Sequence, residues 1–244
     1  MSATSFPGPA PQRGVGVIAP FDLALDREMW RWAPDDVSLY VTRTPYVDEP
    51  VSVELAQAVS DERAVLDGTR DLIAAQPLVV AYACTSGSFV CGMAGERSLV
   101  RTMQAAGARR ALTTSGALVE ALAALKVRRL AVATPYVADL TALLHDFLAE
   151  AGVGAVSSAH LGLAADIWKV PYDTTAELVR AADSTDAEAV FVSCTNLPTY
   201  DLIAPLEREL GKPVLTANQV TMWAALRVAG VAAVGPGQRL LAAG

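Results

Sequence analysis

The chain has 244 residues, 52% of them apolar, enough for one large domain or for two of about 120 residues each. Its net charge is −7, from 19 Lys and Arg against 26 Asp and Glu, and it has no basic stripe, which argues against nucleic acid or an anionic membrane as partner. Three cysteines, an odd number with no CxxC pair, speak against a disulfide framework, and there is no clustered His/Cys spacing for zinc.

Residues 1–13, rich in Pro, Ser and Ala, read as a disordered tail without the pattern of a signal peptide. With the odd cysteine count this leads to the expectation of a reduced, cytoplasmic protein. Residues 14–19 form the first expected strand, ending at Pro20. Phe21-Asp22 and Asp26 open a helix that runs toward Trp30 and Trp32. Residues 37–42 alternate as a second strand. Residues 52–75 carry apolar side chains at helical spacing (Leu55, Val59, Leu66, Leu72) and are expected as one long helix. Residues 78–83 are a third strand, 96–106 a helix and 108–112 a short fourth strand. The uncharged run 72–95 is long enough to raise a membrane span, but Gln76, Pro77 and Thr85-Ser-Gly-Ser88 break it.

The pattern then restarts. Ser115 is expected to cap a helix through Leu125. Residues 129–134 are a strand, 138–151 an amphipathic helix closed by Gly152, and 153–158 an edge strand. Thr174 is expected to cap a helix to Ala182. Residues 189–193 are a strand, 200–211 a helix with Gly211 past its end, 213–216 a strand and 220–229 the last helix. Alternating strands and helices imply parallel sheets with right-handed crossovers. The fold class is therefore α/β, with two similar four-stranded lobes and the site between them. The expected division is 14–112 plus 218–244 for one lobe and 113–217 for the other, the last helix returning to the first.

Two stretches look like copies: Leu78-Val-Val-Ala-Tyr-Ala-Cys84-Thr85-Ser86-Gly87 and Ala189-Val-Phe-Val-Ser-Cys194-Thr195-Asn196. Each is an apolar, β-branched run ending in Cys-Thr and a polar turn, the signature of a buried parallel strand. Ligands of open α/β sheets sit outside the carboxyl ends of such strands. Two thiols at equivalent strand ends can face one small substrate. At a helix start, backbone N–H groups and the helix dipole favour the thiolate, which serves as base, acid or nucleophile. Thr85, Ser86, Thr195 and Asn196 offer donors for a carboxylate and for the enediolate that develops from it. Thr134 and Tyr136 end a third strand in the same way.

Residues 84–89 (Cys-Thr-Ser-Gly-Ser-Phe), 127–136 (Val-Arg-Arg-Leu-Ala-Val-Ala-Thr-Pro-Tyr) and 193–196 (Ser-Cys-Thr-Asn), with 211–214 (Gly-Lys-Pro-Val) and Trp223 downstream, resemble the aspartate/glutamate racemase superfamily. The similar branch is that of maleate cis-trans isomerase and arylmalonate decarboxylase, and the resemblance runs from Gly14 over nearly the whole chain. It implies two flavodoxin-like lobes and no metal or cofactor. It places Cys84 and Cys194 on the catalytic cysteine positions, and Thr85, Ser86 and Tyr136 on donors to the substrate carboxylate. In the decarboxylase the position of Cys84 is glycine, so two thiols favour isomerisation. The chain departs from the isomerase after its first strand, where Pro20-Phe21-Asp22 replaces a Ser-Ser-Asn turn, and in the loop 162–168, which lacks an Asn. Asp22 would repel a dianion, which leaves room for a substrate with an apolar group, or with an amine facing Asp22.

The expected activity is cofactor-independent isomerisation of a small carboxylate, most like maleate isomerase. The alternatives are an amino-acid racemase, a decarboxylase with Cys194 as proton donor, and a two-lobed binding protein. Cys91 has no partner motif and reads as a buried structural residue, His145 as solvated and His160 as structural. Trp30 and Trp32 read as packing between lobes, and Asp35-Asp36 and Asp61-Glu62 as solvated faces. A homo-oligomer is compatible with the sequence, which does not fix the oligomeric state.

Overall fold

The computed structural model describes residues 10–242. Most of the tail expected over 1–13 lies outside them. The chain runs through β1 (Arg13–Ala19), α1 (Asp26–Trp30), β2 (Val37–Arg43), α2 (Val53–Val59), α3 (Glu62–Ile73), β3 (Val79–Tyr82), α4 (Thr85–Phe89), α5 (Gly92–Ala105) and β4 (Ala111–Thr113). It continues with α6 (Thr114–Ala124), β5 (Arg129–Thr134), α7 (Ala138–Glu150), β6 (Gly154–His160), α8 (Tyr172–Ala182), β7 (Ala189–Val192), α9 (Tyr200–Leu210), β8 (Val214–Thr216) and α10 (Ala217–Val228).

The strands form two parallel sheets of four, in the orders β2-β1-β3-β4 and β6-β5-β7-β8. These are the same permutation, so the second half repeats the winding of the first. In each sheet the strand that precedes a cysteine lies second from one edge, buried along its whole length. One continuous apolar core joins the lobes, from Val15 and Ala81 in the first sheet to Val132 and Phe191 in the second. A smaller cluster around Ile18, Tyr82, Leu99 and Met103 fills the other face of the first sheet. Helix α10 packs on α6, β3 and β4.

Local chemistry places several boundaries differently from the sequence pattern. The helix expected over 52–75 is two helices, because the Asp61 carboxylate accepts from Ala64 N–H at 2.9 Å and starts α3 anew. Thr113, not Ser115, caps α6, taking the Gly116 N–H at 2.9 Å. Ser115 lies inside that helix, where its hydroxyl meets Ser88 Oγ at 2.7 Å. Pro171 rather than Thr174 precedes α8, without a side-chain cap. Cys91 is exposed, because it sits in the turn that joins α4 to α5. His145 is half-buried and its Nε2 has no partner among the described residues. Trp32 is buried and donates to Gln238 Oε1 at 2.9 Å, whereas Trp30 is 40% exposed.

Candidate active site

Both cysteine strands end at one cavity. It is lined by Cys84, Thr85 and Ser86 from the end of β3 and the start of α4, and by Cys194, Thr195 and Asn196 after β7. Tyr136 enters from beyond β5, Asp22 from the loop after β1, and Val51, Leu55, Ala56 and Val59 from α2 and its approach. The eight residues proposed from the sequence as catalytic or substrate-binding thus all border the same cavity.

Cys84 is buried against Gly87. A Cβ at Gly87 would fall 2.3 Å from Tyr82 Oη and 3.2 Å from Cys84 Sγ, so this position has room only for glycine. The Tyr82 hydroxyl donates to the Val59 carbonyl at 2.7 Å, which ties β3 to the end of α2 behind the sulfur. Thr85 is buried as well, and its Oγ1 has no partner among the described residues. Its carbonyl is held by Ser88 Oγ at 2.9 Å and Ser115 Oγ at 3.2 Å. The backbone is therefore pinned while the hydroxyl remains unsatisfied. A buried hydroxyl without a partner is costly, and a bound acceptor would supply what is missing.

Cys194 is held differently. Its φ is +88°, a left-handed conformation that L side chains rarely adopt and that costs about 1–3 kcal/mol. A loop, not a helix, follows it, since α9 begins only at Tyr200. The surroundings enforce the strained turn. Thr195 Oγ1 donates across the lobes to the Ala83 carbonyl at 3.2 Å, and the Asn218 amide holds the Thr195 carbonyl at 2.9 Å. The Asn196 N–H points to Cys194 Sγ at 3.4 Å. The Asn196 side chain crosses to the other lobe, where its oxygen accepts from Ala24 N–H at 2.9 Å and its Nδ2 donates to the Asp22 carbonyl at 3.0 Å.

Electrostatics reverse the expectation of resting thiolates. Burial pushes the Cys194 thiol up to about 12, ahead of the opposing Asn196 N–H and Tyr136 hydroxyl, and Asp22 pushes the same way. Burial also raises Cys84, more strongly than the Gly87 N–H and the Tyr82 and Ser86 hydroxyls lower it. Helix α4 has only five residues, too short a dipole to outweigh that desolvation. Burial raises the Asp22 carboxyl too, against its own backbone N–H, the Asn196 amide and the charge of Arg43. The Tyr136 phenol is held well above its ordinary value, first by burial and then by Cys194, and Ser193 Oγ donates to it at 3.4 Å.

Sequence reasoning missed Glu28. It is buried and accepts from Thr199 N–H at 3.0 Å, Thr199 Oγ1 at 2.8 Å and Asn218 Nδ2 at 3.2 Å. It therefore fixes both the start of α9 and the amide that holds the Cys194 loop. An acidic residue in a short helix reads as solvated, and no pattern along the chain pairs it with partners some 170 residues away. Among the described residues, no group of three or more His, Cys, Asp or Glu is placed to hold a metal ion, and no helix is long and apolar enough to cross a membrane.

Two thiols, the hydroxyls of Ser86 and Tyr136 and the unpaired buried hydroxyl of Thr85 can hold a carboxylate and move protons at the adjacent carbon. Residues 52–242 match the arylmalonate decarboxylase family model. The arylmalonate decarboxylase of Bordetella bronchiseptica is 35% identical over 171 residues, covering 68% of this chain and 71% of that protein. The maleate isomerase of Pseudomonas putida is 28% identical over 206 residues, covering 79% and 82%. The solved structure of a Cys→Ser variant of the Nocardia farcinica maleate cis-trans isomerase, with a covalently bound succinylcysteine intermediate, superposes with a TM-score of 0.82 at 27% identity, covering 94% of this chain and 98% of that one.

Proposed function

The chain belongs to the arylmalonate decarboxylase family, and from that premise we propose that it is an isomerase of small carboxylates that works with two cysteines and no cofactor, most like the maleate cis-trans isomerases in its chemistry. The observation that carries this reading is the pair Cys84 and Cys194 on one cavity, beside the unpartnered hydroxyl of Thr85. One thiol suffices to protonate an enediolate. A pair is what a reversible addition across a double bond uses.

In this mechanism the substrate carboxylate takes the Thr85 hydroxyl, with Ser86 and Tyr136 beside it. The Cys84 sulfur adds to one alkene carbon, and the π electrons move onto the neighbouring carbon and its carboxylate. Cys194 delivers a proton to that carbon and takes over the proton that Cys84 releases. The central bond is now single and rotates. The reverse steps restore the double bond in the trans form, and both thiols end as they began. Neutral thiols suit this cycle, since each sulfur is charged only while substrate is present. The covalent succinylcysteine in the Nocardia farcinica enzyme is an adduct of the same type. Three free thiols also suit a reducing, cytoplasmic setting.

The test is proton NMR of maleate and its close analogues with the purified protein. Vinylic signals are expected to move from cis to trans, and Cys84→Ala and Cys194→Ala are each expected to lower the rate at least a thousandfold. Retained activity in either variant would overturn the two-thiol mechanism. The apolar wall of Leu55, Ala56 and Val59 favours one rival, decarboxylation of an arylmalonate with Cys194 as proton donor. Carbon dioxide release from phenylmalonate, unaffected by Cys84→Ala, would select it. Solvent deuterium appearing at Cα of amino acids would select racemisation instead.

A further inference from the structure

In the proposed mechanism the substrate carboxylate rests on Thr85, Ser86 and Tyr136, and no cationic side chain lines the cavity for a second one. Of the other polar side chains at its wall, Ser52 accepts from Leu55 N–H at 3.1 Å, Thr195 and Asn196 are committed across the lobes, and Asp22 is the one that carries a charge; it lies on the same cavity as both thiols and pushes each of them up. The donors nearest Asp22 are already engaged, and the charge of Arg43 acts on it from outside the cavity wall. The Asn196 oxygen accepts from Ala24 N–H, and its Nδ2 is shared between the Asp22 carbonyl at 3.0 Å and Asp22 Oδ2 at 3.4 Å. Arg43 turns Nη1 to the carbonyls of Phe21 at 3.1 Å and Leu23 at 2.6 Å, and it is not part of the cavity wall. An ionised carboxylate accepts hydrogen bonds and donates none. A second substrate carboxylate here would meet a like charge with no Lys, Arg or His in the cavity wall, next to the aliphatic side of α2.

We propose that Asp22 selects the far end of the substrate, and that the chain isomerises cis-alkenoic monoanions whose second acyl group is a hydrogen-bond donor, a primary carboxamide, in place of a second carboxylate. The free carboxylate rests on Thr85, Ser86 and Tyr136, and the amide NH₂ donates to Asp22. The two thiols then flank the alkene carbons between these anchors. This inference rests on the two-thiol reading of the site, and it adds the charge and hydrogen-bonding character of the substrate to it.

The experiment compares maleate with maleamate, its monoamide, on the wild type and on Asp22→Asn, with Asp22→Ser as a second variant should the first not fold. Turnover is read by proton NMR and binding by the rise in Tm. The wild type is expected to show a kcat/KM for maleamate at least tenfold above that for maleate, and a larger rise in Tm with maleamate. Asp22→Asn, which can donate to a carboxylate, is expected to reverse the order. A wild type that prefers maleate, a preference unchanged in the Asp22 variants, or no binding of either compound would each overturn the proposal. If maleamate binds in preference to maleate but neither yields a trans product, the isomerase reading falls while selection by Asp22 stands.

Discussion

Thr195 Oγ1 donates to the Ala83 carbonyl at 3.2 Å, joining the residue after one cysteine to the residue before the other. This bond spans the two lobes and ties the end of β3 to the turn after β7. It sets the relation between two sulfurs that lie far apart in the chain. Thr195→Val keeps the volume and removes the donor. Stability is expected to fall by about 1 kcal/mol, read as a Tm lower by about 2–4 °C. The kcat of the proposed isomerisation is expected to fall at least tenfold with KM little changed, because in the proposed mechanism binding depends on Thr85 and turnover on the alignment of both thiols. An unchanged kcat would separate the lobe contact from catalysis.

Glu28 supports the same loop from behind. Glu28→Ala leaves the Thr199 N–H and hydroxyl buried without their acceptor and takes one of two acceptors from the Asn218 amide, which keeps the Thr195 carbonyl, at a cost of about 2–3 kcal/mol. Glu28→Gln keeps an acceptor for Thr199 but turns a donor toward Asn218, so an intermediate loss is expected. Urea denaturation of the two variants orders them; equal stabilities would show that the charge itself carries the interaction.

Gly87 gives Cys84 its place. Gly87→Ala puts a methyl group into the Tyr82 hydroxyl and against the sulfur. Overpacking of this kind costs about 1–3 kcal/mol. Activity is expected to fall further than that of a Gly154→Ala control, where a Cβ would meet nothing nearer than the Arg128 carbonyl at 3.8 Å.

The raised thiols give stability a defined dependence on pH. Cys194 titrates near 9 when unfolded and near 12 when folded. Below pH 9 both states hold the proton and the contribution of this group is fully present. As pH rises from 9 toward 12 the unfolded chain releases its proton and the folded one does not, so stability falls. Thermal melts from pH 8 to 11 are expected to show this decline, and Cys194→Ser is expected to flatten part of it. A decline that is the same in both proteins would show that Cys194 is not the group responsible.

The sequence alone determined the alternation of strand and helix, the doubled Cys-Thr signature at two strand ends and the set of residues around the site. Those features are local, since the period of apolar side chains and the residues that close a strand act over a few positions. Local patterning also misled where one side chain decided the outcome, as at Asp61, whose carboxylate divides an otherwise continuous helical stretch. Only the tertiary structure decided which donors remain free. It committed Asn196 to the opposite lobe, left Thr85 without a partner and placed Asp22 beside both thiols. It also decided ionisation: the helix start that favours a thiolate in isolation is overruled once packing removes water from the sulfur. Contacts between residues some 170 positions apart, and the desolvation that comes with them, exist only when the two lobes have closed on each other.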